Sequence, residues 1–481
     1  MKILLTTFAL AISPIGAITA QNINFEVADP HPLIQQADVG DMEFADIDND
    51  GDNDLIMIGK GGPIATTIYV NDGDGGFTES ANTALENVFN GTIAVIDIDG
   101  DDDLDLLIAA TLRSVASTIL YVNDGFGIFS PSPIDIPNYR STDIAFGDVD
   151  NDNDQDIIIS GTIDVNGTVN TKLFLSDGNG GFAESTTSTF SDLTSRLELF
   201  DCDGDNDLDL IVSGYDSTFD EENTILYLND GQGGFSEQAS ASFNDLAGGD
   251  VTSGDIDNDG DLDVLICGQG ANGTATELYL NDGAGDFTMV QDSLFADVTF
   301  GDVSMSDLDN DGDLDVFVLG TGPGGLANNL IVGSVYENQG SVTFVKTDSL
   351  AGAYLASHAV GDIDGDRDLD LVLGGTTIGE RANRDSYLYF NETPLVVSNQ
   401  TTVEFDQLTV YPNPFQDIIT LEFEVETKAS IQIYSTVGAL VYATTVAAKT
   451  SQLALDLPTG NYLLKVVTEN GNYEQQISSV R

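Results

Sequence analysis

The sequence predicts an all-β protein: a seven-bladed β-propeller followed by a small C-terminal β-sandwich of immunoglobulin-like type. Three observations predict it. One acidic nonapeptide recurs seven times, at intervals of 51, 51, 53, 54, 52 and 55 residues. Short strand signals surround each copy, four to a repeat, and no helical period appears among them. The last copy lacks its fourth strand, while an orphan strand-like segment stands near the N-terminus. A fixed period of this length marks a repeat architecture, and four strands per repeat match a propeller blade.

The first element is a leader. Lys2 supplies positive charge, Ile3 to Ile12 is apolar, and small residues lead to Ala20. This order predicts a secretory signal over residues 1–20, with cleavage leaving Gln21 first. No later run holds about 18 continuous apolar residues, so no membrane span is expected. Cys202 and Cys267, the only cysteines, occupy different positions in neighbouring repeats and read as buried small apolar side chains rather than a disulfide. Neither lies near the cleavage site, which disfavours a lipid anchor.

The propeller is placed at residues 21–395. Each repeat has an apolar stretch entering the acidic loop, such as Thr92-Ile93-Ala94-Val95-Ile96, and a second leaving it, such as Leu106-Leu107-Ile108. A variable Gly/Thr/Ser-rich loop follows, then a third strand such as Ile68-Tyr69-Val70-Asn71. A tight turn such as Asp72-Gly73-Asp74-Gly75-Gly76 leads to a fourth strand starting at Phe77, Phe129, Phe182, Phe235, Phe287 or Phe344. Short β-branched and aromatic runs bounded by Gly, Asn and Asp are hairpin signals. The seventh repeat stops after Tyr387-Leu388-Tyr389-Phe390-Asn391, so Asn22 to Val27 is expected to supply its missing strand and close the ring. Closure removes exposed sheet edges.

The charge is concentrated in the loops. The chain carries 14 Lys+Arg against 81 Asp+Glu, a formal net of -67, yet is 41% hydrophobic. A basic surface for nucleic acid is absent, and anionic lipid would be repelled. The seven loops hold 36 aspartates, and seven divalent cations would still leave -53.

The loops themselves carry the chemistry. The first offers Asp46, Asp48, Asp50, Asp52 and Asp54; the second Asp97, Asp99, Asp101, Asp103 and Asp105; the third Asp148, Asp150, Asp152, Asp154 and Asp156. The fourth offers Asp201, Asp203, Asp205, Asp207 and Asp209; the fifth Asp255, Asp257, Asp259, Asp261 and Asp263. The sixth offers Asp307, Asp309, Asp311, Asp313 and Asp315; the seventh Asp362, Asp364, Asp366, Asp368 and Asp370. Numbering each loop 1 to 9, carboxylates fall at positions 1, 3, 5 and 9, and position 7 offers its backbone carbonyl. Oxygen donors alone, on a tightly curled loop, suit Ca²⁺, up to seven ions in a structural role. No His lies in the loops, and the one Cys, Cys202, stands at position 2 of the fourth, outside the set of donor positions, which disfavours zinc and copper. The flanking helices and twelfth-position Glu of an EF-hand are absent, and a Ca²⁺ β-roll repeats far more often. Two carboxylates about 4 Å apart repel by roughly 4 kcal/mol at an effective dielectric near 20, so a crowded empty loop is costly.

Position 6 is expected to need a left-handed backbone. Gly51, Gly260 and Gly312 adopt it freely, and Asp102, Asn153 and Asn206 are the next best types. Arg367 is the exception, so the seventh site is expected to bind most weakly.

These residues bring out two resemblances. The repeats over residues 22–395 resemble the FG-GAP/VCBS repeats of integrin α-subunit propellers and their bacterial relatives, with Ala145-Phe146-Gly147-Asp148-Val149-Asp150 carrying the pattern. That resemblance implies loops that join the first two strands of a blade and bind Ca²⁺. Beyond a linker at 396–405, residues 406–481 lose the repeat and most of the charge. Val410-Tyr411-Pro412-Asn413-Pro414-Phe415, Val437-Gly438 and Leu457-Pro458-Thr459-Gly460-Asn461-Tyr462 resemble the sorting domain of type IX secretion cargo. That implies a Gram-negative bacterium, export through the type IX machinery, and a secreted or outer-surface location.

For function, the first expectation is a non-enzymatic, monomeric adhesion module binding an extracellular protein or glycan. The alternative is a polysaccharide lyase or hydrolase on a propeller scaffold; a third is a purely structural exoprotein. Only His31 and His358 exist, and no Ser-His-Asp arrangement is legible. The loops opposite the acidic turns vary most, and such loops tend to carry binding residues. Arg113, Tyr139, Arg140, Arg196, Tyr215, Phe219, Tyr354, His358, Arg381 and Arg384 are the candidates there.

Overall fold

The computed structural model describes residues 23–28, 40–60, 64–81, 84–163, 167–216, 218, 221–290, 294–324, 330–376, 384–393 and most of 408–479. The leader, Asn22, Phe219, Arg381 and the 396–405 linker lie outside the described residues. The described chain divides into two compact units, one ending at Leu395 and one beginning at Val396.

Within the first unit, the strands form seven four-stranded antiparallel sheets. The first sheet is Asp41–Ala45, Asp54–Lys60, Ile64–Asn71 and Phe77–Glu79, in chain order. The next five repeat that plan. The seventh is Tyr354–Gly361, Asp370–Thr376 and Arg384–Asn391, completed by Phe25–Val27 from the N-terminus. Phe25 pairs with Asn391 and Val27 with Tyr389, so the orphan segment is the missing strand. Asn24 N donates to Thr393 Oγ1 at 3.0 Å and fastens the splice.

The first strands lie side by side. They are Asp41–Ala45, Phe89–Ile96, Arg140–Gly147, Leu193–Phe200, Val251–Gly254, Thr299–Ser306 and Tyr354–Gly361. Each neighbours the next, and the last returns to the first, so the seven sheets are blades around one axis.

Burial explains the ring. Second strands are apolar without alternation: Leu55, Ile56, Met57 and Ile58 are all fully buried. A strand sandwiched between two neighbouring sheets buries both its faces, so a continuous apolar run is what it requires. The cores accordingly lie between blades. Ile47, Ile56 and Ile68 pack with Leu106, Ile108 and Tyr121 across the first interface. Met42, Leu55 and Tyr69 pack with Ile363, Val372 and Leu388 across the last. Cys202 and Cys267 are free and buried in two such cores, as expected.

In the second unit, Leu408–Tyr411, Ile418–Ser435, Leu440–Ala454, Gly460–Thr468 and Gly471–Ser479 form a five-stranded antiparallel sheet. The long strand Ile418–Ser435 pairs Leu408–Tyr411 along its first half and Gly460–Thr468 along its second, with Leu440–Ala454 along both. Phe415, Leu421, Phe423, Ile431, Ile433 and Leu464 make its separate core.

Candidate functional site

The acidic turns join first and second strands, so all seven sit at one end of the ring. Their geometry is nearly identical. Position 1 accepts from the backbone ahead: Asp50 N donates to Asp46 Oδ1 at 3.1 Å and Gly51 N to Oδ2 at 3.0 Å. Position 6 is left-handed in every copy, from Gly51 at φ 100° to Arg367 at φ 78°, as the sequence predicts. Position 4 is left-handed too, at Asn49, Gly100, Asn151, Gly204, Asn258, Asn310 and Gly365, which the sequence reading missed. The alternation of Asn and Gly there was the available signal.

Position 9 anchors the turn. Asp54, Asp105, Asp156, Asp209, Asp263, Asp315 and Asp370 are all buried. One oxygen of Asp54 accepts from Ile47 N at 3.2 Å, the other from Asn71 N at 2.8 Å, and the other six repeat this. Burial pushes these carboxyls up, to about 6 at Asp54, Asp105, Asp156 and Asp263 and to about 8 at Asp315, although both backbone donors pull the other way.

Carboxylate oxygens of Asp46, Asp48 and Asp50 lie within 4.8 Å of one another, as do those of Asp97, Asp99 and Asp101, and of Asp255, Asp257 and Asp259. In the third and fourth loops the compact set is Asp148, Asp150 and Asp156, and Asp201, Asp203 and Asp209. At position 3, one oxygen of Asp48, Asp99, Asp150, Asp203, Asp309 and Asp364 is buried with no hydrogen-bond partner. A buried carboxylate oxygen without a donor is expensive. The same orphan in six loops marks a place where an oxygen-seeking cation fits.

Most side chains at position 7 turn elsewhere; Asp368 is the exception, buried beside Asp366 and Asp370 of its own loop with one oxygen unpartnered. Asp103, Asp207 and Asp313 accept from Asn49, Asn151 and Asn258 of the preceding loop, at 2.9, 2.8 and 2.7 Å. Asp52 faces the Gly-rich turn, where a Cβ on Gly73 (φ 72°) would lie 2.4 Å from its carboxylate. In those loops only the backbone carbonyl of position 7 is left to offer a cation.

At the other end of the ring the inner strands begin around a cavity of about 520 Å³. All seven blades line it, among them Asp41, Asn90, Ser141, Arg196, Tyr215, Phe300 and Leu355. Five residues before each loop, the inner strands place Asp41, Thr92, Asp143, Arg196, Asp250, Asp302 and Ser357 around the axis. Four of the acids also staple the ring: Asp41, Asp143, Asp250 and Asp302 accept from Ile93 N, Leu197 N, Val303 N and His358 N of the next blade. Glu198 does the same for Ser253 N and Oγ.

Arg196 lies between Asp143 Oδ1 (3.6 Å) and Asp250 Oδ1 (3.7 Å). Asp302 Oδ2 is 3.0 Å from His358 Nδ1, and His358 Nε2 is 2.7 Å from Ser304 Oγ. Burial pushes Asp41 up to about 6 and Asp250 well above its ordinary range, the latter helped by Asp302. Burial alone would raise Asp302, but His358, the hydrogen bond with Asp250 and Arg196 hold it below the ordinary carboxylate range.

Of the ten candidate binding residues, the structure brings Arg196 and Tyr215 to the cavity. Two assignments are corrected. Tyr139 is buried in an interblade core, because its ring completes the packing between the second and third blades. His358 lies on an inner strand, not a variable loop, and its side chain is 5% exposed. Tyr354 stacks edge-on against Phe300 at 5.7 Å. Arg113 is exposed and pairs with Glu86 at 3.2 Å; Arg140 and Arg384 start strands. The axial acids and Phe300 were missed, since residues of inner strands read in one dimension as ordinary strand positions.

Two family models match. FG-GAP-like repeats are found at residues 46–108, 201–266, 255–318 and 307–373. A secretion system C-terminal sorting domain is found at residues 409–479. No curated protein matches the chain. Among solved structures, the chain is similar to PorZ, a surface component of the type IX secretion system of Porphyromonas gingivalis, at 13% identity and a TM-score of 0.44, covering 92% of this chain and 59% of that one. It is similar to the fucose-specific lectin of Aleuria aurantia at 7% identity and a TM-score of 0.40, covering 66% and 97%. It is also similar to the rhamnogalacturonan lyase YesW at 13% identity and a TM-score of 0.34, covering 93% and 90%. Likenesses this distant bear on neither ligand nor chemistry. The chain thus carries FG-GAP-like repeats, and its C-terminal sorting domain marks it as a secreted or cell-surface protein.

Proposed function

We propose that the protein is a calcium-stabilised, non-enzymatic binding module working outside the cell, delivered by type IX machinery that reads residues 409–479. Each acidic turn holds one Ca²⁺ through carboxylates at positions 1, 3, 5 and 9 and the carbonyl at position 7. The observation that carries this is the donorless, buried oxygen at position 3, repeated in six loops. When bound, the ion supplies positive charge and coordination where the loop alone leaves crowded carboxylates. The donor set is all oxygen, which suits a hard cation.

The role is structural. All seven loops share one backbone conformation, and their position-9 acids tie the turn to the second and third strands of each blade. Binding belongs to the opposite end, where all seven blades meet at one cavity. Calcium binding is tested by native mass spectrometry and by melting the mature protein in calcium and in EGTA. Seven bound ions and a lower melting temperature in EGTA are expected; equal melting temperatures would sink the reading. A glycan and matrix-protein array tests the binding role, and cleavage of a polysaccharide on incubation would replace it with a lyase or hydrolase.

A further inference from the structure

We propose that the axial cavity binds an organic ammonium ion, a protonated primary amine carried by a small molecule or by the free end of a larger one. This rests on the binding-module reading and names the chemistry its partner must offer. Four observations carry it.

The cavity has ligand dimensions, about 520 Å³, and every blade contributes to its lining. Its charge has one sign to spare. The axial layer holds Asp41, Asp143, Asp250 and Asp302 against the guanidinium of Arg196 and the imidazole of His358 beside Asp302, which leaves Asp41 without a basic neighbour in ion-pair contact among the described residues. That guanidinium donates to the carbonyl of Gly249 and lies between Asp143 and Asp250, so its charge is already offset within the layer.

Asp41 is the acid that lines the cavity. It accepts from Ile93 N at 2.9 Å and from Met42 N at 3.0 Å, and has no ion-pair partner among the described residues. A carboxylate at a cleft wall on a protein of net charge -67 draws cations by its own field and that of the whole chain.

The cavity wall contributed by the fourth and sixth blades is aromatic. Tyr215 and Phe300 approach Gly248 from two sides, a Cβ there lying 3.2 Å from the Tyr215 ring and 3.7 Å from that of Phe300. Phe300 is 44% exposed and lines the cavity. An aromatic ring lining the same cavity as a carboxylate attracts an ammonium through its quadrupole. Asn90, Ser141, Thr194 and Ser213 add polar groups that orient a substituent.

The test is calorimetric titration of the full mature chain in saturating calcium with cadaverine, lysine amide and glucosamine. N-acetylglucosamine and N,N′-diacetylcadaverine serve as the partners with the ammonium charge removed. The expected result is binding by at least one amine, weakened about tenfold or more by acetylation and further by added salt. Asp41→Asn keeps the acceptor oxygen for Ile93 N and is expected to weaken binding about tenfold. Phe300→Ala, at an exposed side chain, is expected to weaken it several-fold and guards against a folding defect in the first variant. Cadaverine or lysine amide outranking glucosamine identifies an aliphatic amine; the reverse identifies an amino sugar. Equal binding of the acetylated partners, silence from all three amines, or wild-type affinity in both variants overturns the proposal. If a partner is still captured on the array, only this inference has failed; if none is, the binding-module reading falls with it.

Discussion

Asn281 donates its side-chain amide to the carbonyl of Cys202, 79 residues away in the neighbouring blade, at 2.8 Å. Its second amide hydrogen goes to Leu262 O at 3.0 Å, and its backbone N–H to Asp263 Oδ1 at 2.8 Å. One residue thus closes its own acidic turn and clasps the turn of the blade before it. Asn71, Asn123, Asn229, Asn338 and Asn391 do the same, reaching Ile363, Ile47, Val149, Ile256 and Leu308. The third blade has Ser176 at this place, too short to reach across.

Replacing the clasp should cost more than its size suggests. Asn281→Ala leaves two buried carbonyls without a donor, and we expect a loss of about 2–3 kcal/mol in chemical denaturation. Ser176→Asn should supply the missing clasp to Ile98 O and gain up to about 1 kcal/mol. A loss in the second variant would show that the third blade cannot accommodate the amide.

Calcium should act on the whole ring. If its concentration is about ten times a site's dissociation constant, each site adds roughly 1.4 kcal/mol. Asp203→Asn, which removes a position-3 charge, should lower the ion count in native mass spectrometry by one and leave the other loops filled.

Arg367 sits at φ 78° where other loops use Gly, Asn or Asp. The cost is on the order of 1 kcal/mol, and the cation beside the ligands adds to it. Arg367→Gly should therefore stabilise the protein by about 1 kcal/mol and tighten the weakest calcium site. A site-resolved titration in which the seventh loop of the unmodified protein already binds as tightly as the others would contradict this.

Glu198 gives a pH signature. Burial pushes its carboxyl up to about 7, although the Ser253 hydrogen bonds pull it down. The folded chain therefore holds the proton more tightly than the unfolded one, whose value is 4.5. The stabilisation is fully present below about pH 4.5 and lost as pH rises through about 7. Gln mimics the protonated acid, so in saturating calcium Glu198→Gln should match the wild type near pH 5. It should exceed it by about 1–2 kcal/mol near pH 8. A pH-independent difference between the two would refute the assignment.

Local chemistry made much of this protein legible in one dimension. The seven turns, the left-handed sixth position and the strand order follow from spacing and residue type, because each depends on neighbours a few residues apart. Even the closing strand, Phe25–Val27, announced itself as a segment missing from the seventh repeat and present at the start. The axis was a different matter. Asp41, Asp143, Asp250 and Asp302 lie in different repeats, and nothing in a single repeat says that they face one another. Tyr139 looked like a loop residue and became core; His358 looked accessible and is held by Asp302 and Ser304. Repetition along the chain determined the blade and its turns. Only closing the ring decided which side chains meet at its centre, since that requires every interblade core to set the same rotation before first and last blade can touch.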